Sequence, residues 1–194
     1  MMHLSIVRLL VFLSAVVLPL SAADEGKKIA EAARKQIGIT RFYDPSYVSM
    51  DYPNGDVEKD RGVCTDVVIR AVRVGLEEDL QKLVHLDMKS NFSAYPKNWG
   101  LSRPDRNIDH RRVPNLRAFF KRRGFSKPVT KKPEDYQPGD IVTCTVANKL
   151  PHVMIVSDKK SSEGVPLIIH NIGFGALEED GLFTYPLTGH YRWK

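Results

Sequence analysis

The sequence contains little cysteine: only Cys64 and Cys144 occur among its 194 residues. Two cysteines form at most one disulfide, so a small fold held together by several bridges is excluded. A single structural bridge remains one interpretation, because an even pair of cysteines in an exported protein commonly forms one. A domain of this size, however, can bury enough apolar surface to be stable without it.

Zinc-hydrolase motifs are also missing. Neither His-Glu-x-x-His nor His-x-His occurs, and these are spacings at which a helix or strand presents two imidazoles to one Zn²⁺. The sequence therefore predicts no metal site and no cofactor. Internal repeats, linkers and low-complexity segments are absent as well, which favours one folded domain over residues 24–194.

No apolar segment is long enough to cross a bilayer, which takes roughly 20 residues. The apolar run at residues 9–20 follows Arg8 and precedes the small residues 21–23, an arrangement typical of a secretory signal peptide. We therefore predict that residues 1–23 are a signal peptide and that the protein is periplasmic or secreted. Because no cysteine follows the run, no stable membrane anchor is expected.

Acidic residues are outnumbered by basic ones. The chain has 29 Lys and Arg against 23 Asp and Glu, a formal net charge of +6. Such an excess favours anionic partners, for example a cell-wall polymer, a membrane surface or nucleic acid. No nucleic-acid recognition motif accompanies the charge, so nucleic acid is not a predicted partner.

The hydrophobic pattern changes along the chain from helical to alternating. Apolar residues at helical spacing predict helices at 24–37, from Cys64 to about 76, at about 78–89 and at 114–123. Between the first two helices, residues 41–62 form a long turn-rich loop of a length often associated with function. Alternation and short apolar runs predict strands at 141–146, 152–156 and 165–170, and one or two more within 182–193. Helices followed by antiparallel strands predict an α+β fold.

The helix that begins near Cys64 carries a polar stripe, in which Asp66 and Arg70 are spaced as an i,i+4 ion pair. Cys64 then lies at or beside the N-cap, where unpaired backbone N–H groups and the helix dipole should lower the pKa of its thiol from about 8.5. The same N–H groups can stabilise an oxyanion. We predict that Cys64 is a nucleophile, whereas Cys144, in a predicted strand, is expected to pack in the core.

A nucleophilic cysteine needs a base, and His152 and His170 are the best-placed histidines. His152 begins one predicted strand and His170 ends the next. If these strands pair as a hairpin with residue numbers summing to about 322, the two imidazoles lie side by side on one face. A slip of one residue would place Asn171 there instead, and an amide can also orient an imidazole. His170 and Asn171 therefore both remain candidates for the third position.

The order of these segments resembles that of a known group of enzymes. Cys64 at a helix start, Pro-Gly-Asp-Ile-Val at 138–142, His-Val-Met-Ile-Val at 152–156 and Ile-Ile-His at 168–170 resemble the NlpC-type cell-wall cysteine peptidases, which are papain-like enzymes with a Cys–His–polar triad. Segments 64–71, 109–116, 169–173 and 189–192 more closely resemble an uncharacterised-domain branch, the YijF-like proteins. The similarity covers nearly all of the chain that follows the predicted signal peptide.

The resemblance implies a papain-like fold with N-terminal helices packed on an antiparallel sheet. It also implies that Cys64 is the nucleophile, His152 the general base and then acid, and His170 the orienting residue. The implied substrate is an amide bond in the peptide stems of peptidoglycan, one involving D-glutamate and diaminopimelate. Residues 63–66 are Val-Cys-Thr-Asp, where the main group usually has Asp-Cys-Ser-Gly, so the subsites beside the cysteine are expected to differ.

Six further residues are predicted to bind substrate: Tyr43, Tyr47, Asp66, His110, Arg111 and Asn171. The segment 109–112, Asp-His-Arg-Arg, has no counterpart in the main group and is interpreted either as a site for a substrate carboxylate or as a buried ion-pair network. Similarity to an antibacterial effector of the type VI secretion system would add an immunity or inhibitor protein as a partner. Two other functions stay open: a non-enzymatic binding module stapled by a disulfide, and an acyltransferase or thioesterase on the same fold.

Overall fold

A computed structural model of the protein describes residues 22–194, and the predicted signal peptide lies outside these residues except for its last two. The described chain contains four α-helices: α1 (Ala22–Arg34), α2 (Cys64–Leu76), α3 (Leu80–Asn91) and α4 (Val113–Arg122). Its strands are β1 (Phe42–Tyr43), β2 (Arg61–Gly62), β3 (Ile141–Val146), β4 (Leu150–Lys160), β5 (Pro166–Asn171), β6 (Ala176–Glu179) and β7 (Leu187–Tyr191). Within residues 22–194, no helix has both the length and the apolar content needed to span a membrane.

Five of the strands form one antiparallel sheet in the order β6–β5–β4–β3–β7. Ile155, in the central strand, is opposite Ile141 of β3 on one side and Ile169 of β5 on the other. The short strands β1 and β2 pair separately, in parallel. The four helices precede the five-stranded antiparallel sheet in the chain, which confirms the predicted α+β class.

The sheet separates two hydrophobic clusters. Side chains alternate between the faces of a strand, so β4 contributes Val153 and Ile155 to the cluster beneath the helices. Its Met154 and Val156 belong to a smaller cluster on the other face, together with Cys144. Residues 180–187 cross this second face and bury Leu182 completely. The helix side and the far side of the sheet are therefore chemically distinct environments.

The helix predicted from Cys64 is confirmed, but the ion pair predicted within it is wrong. Arg70 pairs with Asp56 of the preceding loop, Nε to Oδ2 at 2.9 Å, and donates to the carbonyl oxygens of Val57 and Glu58. The polar stripe of α2 is buried because the loop of residues 41–62 packs over it. Carboxylate and carbonyl groups of the loop thus accept hydrogen bonds from side chains that helical periodicity alone would place in solvent.

The sheet differs from its prediction mainly at its ends. The segment 182–193 contains one strand, β7, whereas β6 at Ala176–Glu179 was not predicted. The sequence of β6 is Ala-Leu-Glu-Glu, which is short and lacks β-branched residues, so it gives little strand signal. Strand β4 is longer than the predicted 152–156 and extends to Lys160. β6 is the neighbour of β5 in the sheet. Because this strand was not predicted, one residue of the site described next was not predicted either.

Candidate active site

Cys64 is the first residue of α2, immediately after the N-cap residue Val63, as predicted. The backbone N–H of Val63 donates to Oδ2 of Asp66 at 2.6 Å, which fixes the entry into the helix. Gly62 adopts φ +151°, and a Cβ there would lie 2.9 Å from Oδ2 of Asp66. The turn therefore needs glycine, and its close packing places the Cys64 side chain firmly against the sheet.

The thiol of Cys64 is enclosed, with only 4% of the residue exposed. Burial raises the pKa of this thiol to about 12, although N–H groups of Val153 and Thr65 act in the opposite direction. The predicted lowering of the pKa is therefore wrong for this conformation. The helix terminus supplies N–H donors as expected, but loss of hydration by the buried sulfur outweighs them.

His152 and His170 are hydrogen-bonded to each other, with Nε2 of His152 2.8 Å from Nδ1 of His170. Both are buried, and burial followed by the neighbouring His170 lowers the pKa of His152 to about 3. The two histidines lie on the same face of the sheet, as predicted, but the register between β4 and β5 differs from the predicted one. Ile155 is opposite Ile169, so the two histidines are diagonal neighbours rather than directly opposed. The diagonal separation suits two rings that meet edge to face, with centroids 5.0 Å apart.

Cys64 contacts the sheet at Val153 of β4, whose backbone N–H is directed to its sulfur. His152 precedes Val153, and its register partner Cys144 places it on the sheet face away from α2. Its side-chain hydrogen bond is to His170, so among residues 22–194 the predicted nucleophile and the predicted base are not hydrogen-bonded to each other.

Glu179 is a site residue that sequence reasoning missed. Its Oε1 lies 2.9 Å from Nε2 of His170, so a carboxylate and two imidazoles follow one another in a hydrogen-bonded chain. The signal that could have found it is the alternation within β6, which was too short to recognise. Asn171, the other candidate for orienting the base, instead donates to the carbonyl oxygen of Gly62 at 2.9 Å and so anchors the turn before Cys64.

A groove of about 450 Å³ opens at Cys64. Its lining includes Tyr43 and Arg111 from the predicted substrate-binding set, and also Trp99, Arg112 and Lys149. Its other lining residues are Pro45, Val63, Asn98, Ile108, Val113, Pro114 and Pro151. Three cationic side chains line this groove, and two of them, Arg111 and Arg112, are paired with the carboxylates of Asp66 and Asp109. The positive charge that the groove offers to a ligand is therefore smaller than the number of its cations suggests.

Comparison with known proteins identifies the family. The family model described as "Domain of unknown function (DUF1287)" matches residues 30–193. This chain belongs to the DUF1287 family. "Uncharacterized protein YijF" of Escherichia coli (strain K12) is 56% identical over 171 residues, which are 88% of this chain and 83% of that protein. The predicted resemblance to the YijF-like proteins is confirmed.

One solved structure similar to this DUF1287 chain is that of NlpC1 from Trichomonas vaginalis. The sequences are 13% identical and the TM-score is 0.47. The match covers 90% of this chain and 46% of the other, so the DUF1287 chain spans about half the length of that protein.

In this DUF1287 domain, Asp66 and Arg111 form a buried ion pair. Nε and Nη2 of Arg111 lie 2.9 and 3.0 Å from the two carboxylate oxygens of Asp66. Arg111 also donates to the carbonyl oxygens of Asp44 and Ser46. Asp109 pairs with Arg112 at 3.0 Å. Of the two interpretations of residues 109–112, the geometry supports the ion-pair network, and Asp66 serves to build the start of α2.

Tyr47 and His110, also predicted to bind substrate, do not line the groove. Tyr47 is exposed, and its hydroxyl lies 3.1 Å from Asp105 and 2.9 Å from the side-chain amide of Asn107. His110 is buried, and burial followed by Arg111 lowers its pKa to about 3. Tyr47 thus links the long loop to the segment before α4, and both residues are expected to support structure.

The two cysteines are free thiols in different clusters, Cys64 on the helix side and Cys144 on the far side of the sheet. Burial raises the pKa of Cys144 to about 11, in keeping with its predicted packing role. A binding module stapled by these cysteines is therefore not supported. In the described range, no group of three or more His, Cys, Asp and Glu side chains is arranged to hold a metal ion.

Proposed function

We propose that this DUF1287 protein is a cysteine hydrolase that cleaves an amide bond in the peptide stems of peptidoglycan. One observation supports this proposal above the others. The hydrogen-bonded histidine pair ends at His152, whose neighbour Val153 directs its N–H to the thiol of Cys64 at the mouth of the groove. A thiol, an oriented imidazole and helix N-terminal N–H groups are the components of acyl transfer by a cysteine nucleophile.

In the resting site the thiol and the imidazole are both neutral, because burial raises the pKa of Cys64 to about 12 and lowers that of His152 to about 3. Proton transfer is therefore expected to accompany attack. The thiol proton moves to Nδ1 of His152, whose Nε2 is hydrogen-bonded to His170, and the sulfur bonds to the substrate carbonyl carbon. The imidazolium then protonates the departing amine, and water hydrolyses the thioester.

The groove favours the proposed substrate class. Arg112 stacks on Trp99, with its guanidinium carbon 4.1 Å from the ring centroid, so a cation and an aromatic face lie together near Cys64. Lys149 adds a second cation. Stem peptides carry free carboxylates beside their amide bonds, and the resemblance to the NlpC-type group points to the bond between D-glutamate and diaminopimelate. We further propose a periplasmic or secreted location and, for an effector role, an immunity protein that covers this groove.

Digestion of purified sacculi tests the proposal. Wild-type protein should release new peptide fragments identifiable by mass, and Cys64→Ala should release none. Cys144→Ala is the matched control, since it removes the other buried thiol and should retain activity. Equal fragments from wild type and Cys64→Ala would reject Cys64 as the nucleophile. Turnover of a lipid acyl donor without release from sacculi would assign acyl-transfer or thioesterase chemistry instead.

A further inference from the structure

Glu179 stands at the outer end of a hydrogen-bonded chain that runs through His170 to His152. Its side chain is 48% exposed, whereas the His170 side chain that it contacts is 1% exposed. The chain runs from Oε1 of Glu179 to Nε2 of His170, 2.9 Å, and from Nδ1 of His170 to Nε2 of His152, 2.8 Å. A half-exposed carboxylate therefore terminates a buried pair of imidazoles.

The chemistry of these atoms fixes where each proton resides. An ionised carboxylate only accepts hydrogen bonds, so Nε2 of His170 must carry a hydrogen. In a neutral ring the other nitrogen, Nδ1, is then an acceptor, and Nε2 of His152 must donate to it. Since His152 is also neutral, its Nδ1 retains a lone pair. The Glu179 carboxylate thus determines which ring nitrogen of His152 can accept a proton.

We propose that Glu179 is a positioning residue that holds both imidazoles in the Nε2–H tautomer and so makes Nδ1 of His152 the acceptor for the Cys64 proton. This inference rests on the proposed roles of Cys64 and His152. When His152 becomes an imidazolium, the same carboxylate stabilises the positive charge through His170. Exchange of a carboxylate for an amide at the corresponding place of a triad can leave the geometry intact and still supply the wrong tautomer.

The neighbouring carboxylate, Glu178, does not share this role. It faces the helix side of the sheet, where it accepts hydrogen bonds from Arg34, Ser157 and Lys159. Asp180 follows Glu179 directly and is exposed. It therefore offers a control that removes a negative charge at nearly the same place without touching His170.

Nitrogen-15 NMR of histidine-labelled protein tests the tautomers directly. The parent and Asp180→Asn should both show His152 and His170 as Nε2–H tautomers. In Glu179→Gln the amide can donate as well as accept, so we expect a shift toward the Nδ1–H form in both rings. An Nδ1–H form of His152 in the parent, or unchanged tautomers in Glu179→Gln, would overturn the proposal.

Alkylation by iodoacetamide, with Cys144 replaced by alanine so that one thiol remains, gives the second readout. Loss of a charge-assisted hydrogen bond should lower the alkylation rate of Cys64 at neutral pH about tenfold in Glu179→Gln. Asp180→Asn should stay within about twofold, as expected for a surface change. An equal rate in Glu179→Gln and the parent would count against the proposal. Neither readout uses peptidoglycan, so the two proposals can fail separately. If the protein released no fragments from sacculi but showed the expected histidine tautomers, the proposed substrate would be rejected and the positioning role of Glu179 would stand.

Discussion

At the scale of single residues, Cys64 shows two opposing effects on one thiol. The first turn of a helix offers N–H groups and a favourable dipole, which stabilise a thiolate. The enclosing loop and sheet remove water from the same sulfur, which destabilises the thiolate. Burial is the larger effect here and raises the pKa to about 12. The Cys64 thiol is therefore neutral at rest, and the proposed attack by this thiol needs a base.

A thiolate titration tests this protonation state. Because the pKa of Cys64 is raised to about 12 and that of His152 is lowered to about 3, the ultraviolet absorbance of thiolate should be absent at neutral pH and grow only in the alkaline range. The signal from Cys64 is obtained as the difference between the parent and Cys64→Ala, since Cys144 titrates at a pKa of about 11. Thiolate absorbance from Cys64 at mildly acidic pH would instead show a preformed thiolate–imidazolium pair.

At the scale of elements, the start of α2 depends on side chains far away in sequence. Gly62 permits the turn, Asp66 accepts the N–H of Val63, and Arg111 neutralises the Asp66 carboxylate from another element. Asn171 ties the carbonyl oxygen of Gly62 to the sheet. The helix itself is a local property, but the placement of its first residue against the sheet depends on these four residues together.

Substitution of Arg111 by alanine should lower the free energy of unfolding by about 3–5 kcal/mol, because it leaves the Asp66 carboxylate buried without its partner. The side chains of the pair are 2% and 4% exposed, so water does not replace the lost contact. Urea denaturation measures the change. Arg123→Ala is the control, since Arg123 is exposed at the end of α4 and should change stability by less than about 0.5 kcal/mol. Similar losses in the two variants would show that the ion pair does not stabilise the fold.

At the scale of the whole molecule, the sheet divides the site between two environments. Cys64 belongs to the helix side, and the imidazole pair belongs to the far face. Among residues 22–194, the hydrogen bond of the His152 ring is to His170 and not to Cys64. The groove reaches the thiol from the side of the long loop and α4, and neither histidine is among its lining residues.

Buried neutral histidines should make the folded protein sensitive to acid. Burial lowers the pKa of His110 and His152 from 6.5 to about 3, so the unfolded chain binds more protons than the folded one between these values. Stability contributed by these groups is present above pH 6.5 and is lost as the pH falls toward 3. Urea unfolding should show the decline, and His110→Gln should make it shallower. An equally steep decline of stability in that variant would exclude His110 as a source of the acid sensitivity.

Much of the architecture was predictable because it is written in neighbouring residues. Helical and alternating periods predicted four helices and most strands, and the start of the second helical segment predicted the position of Cys64. The shared face of His152 and His170 followed from two short apolar runs and the turn between them. The predictions were wrong about strand register and strand ends, because both depend on the neighbouring strands and not on the local sequence pattern.

Local sequence pattern was enough to predict the α+β class, the helix that begins at Cys64 and a shared strand face for His152 and His170. That Glu179 reaches His170, that Arg111 neutralises Asp66 and that the Cys64 thiol is neutral at rest became evident only from the three-dimensional arrangement. The difference lies in how far along the chain the interacting residues are separated. Backbone periodicity and helix-terminal N–H groups arise from adjacent residues, whereas desolvation and charge pairing are set by atoms that the chain brings together from distant positions.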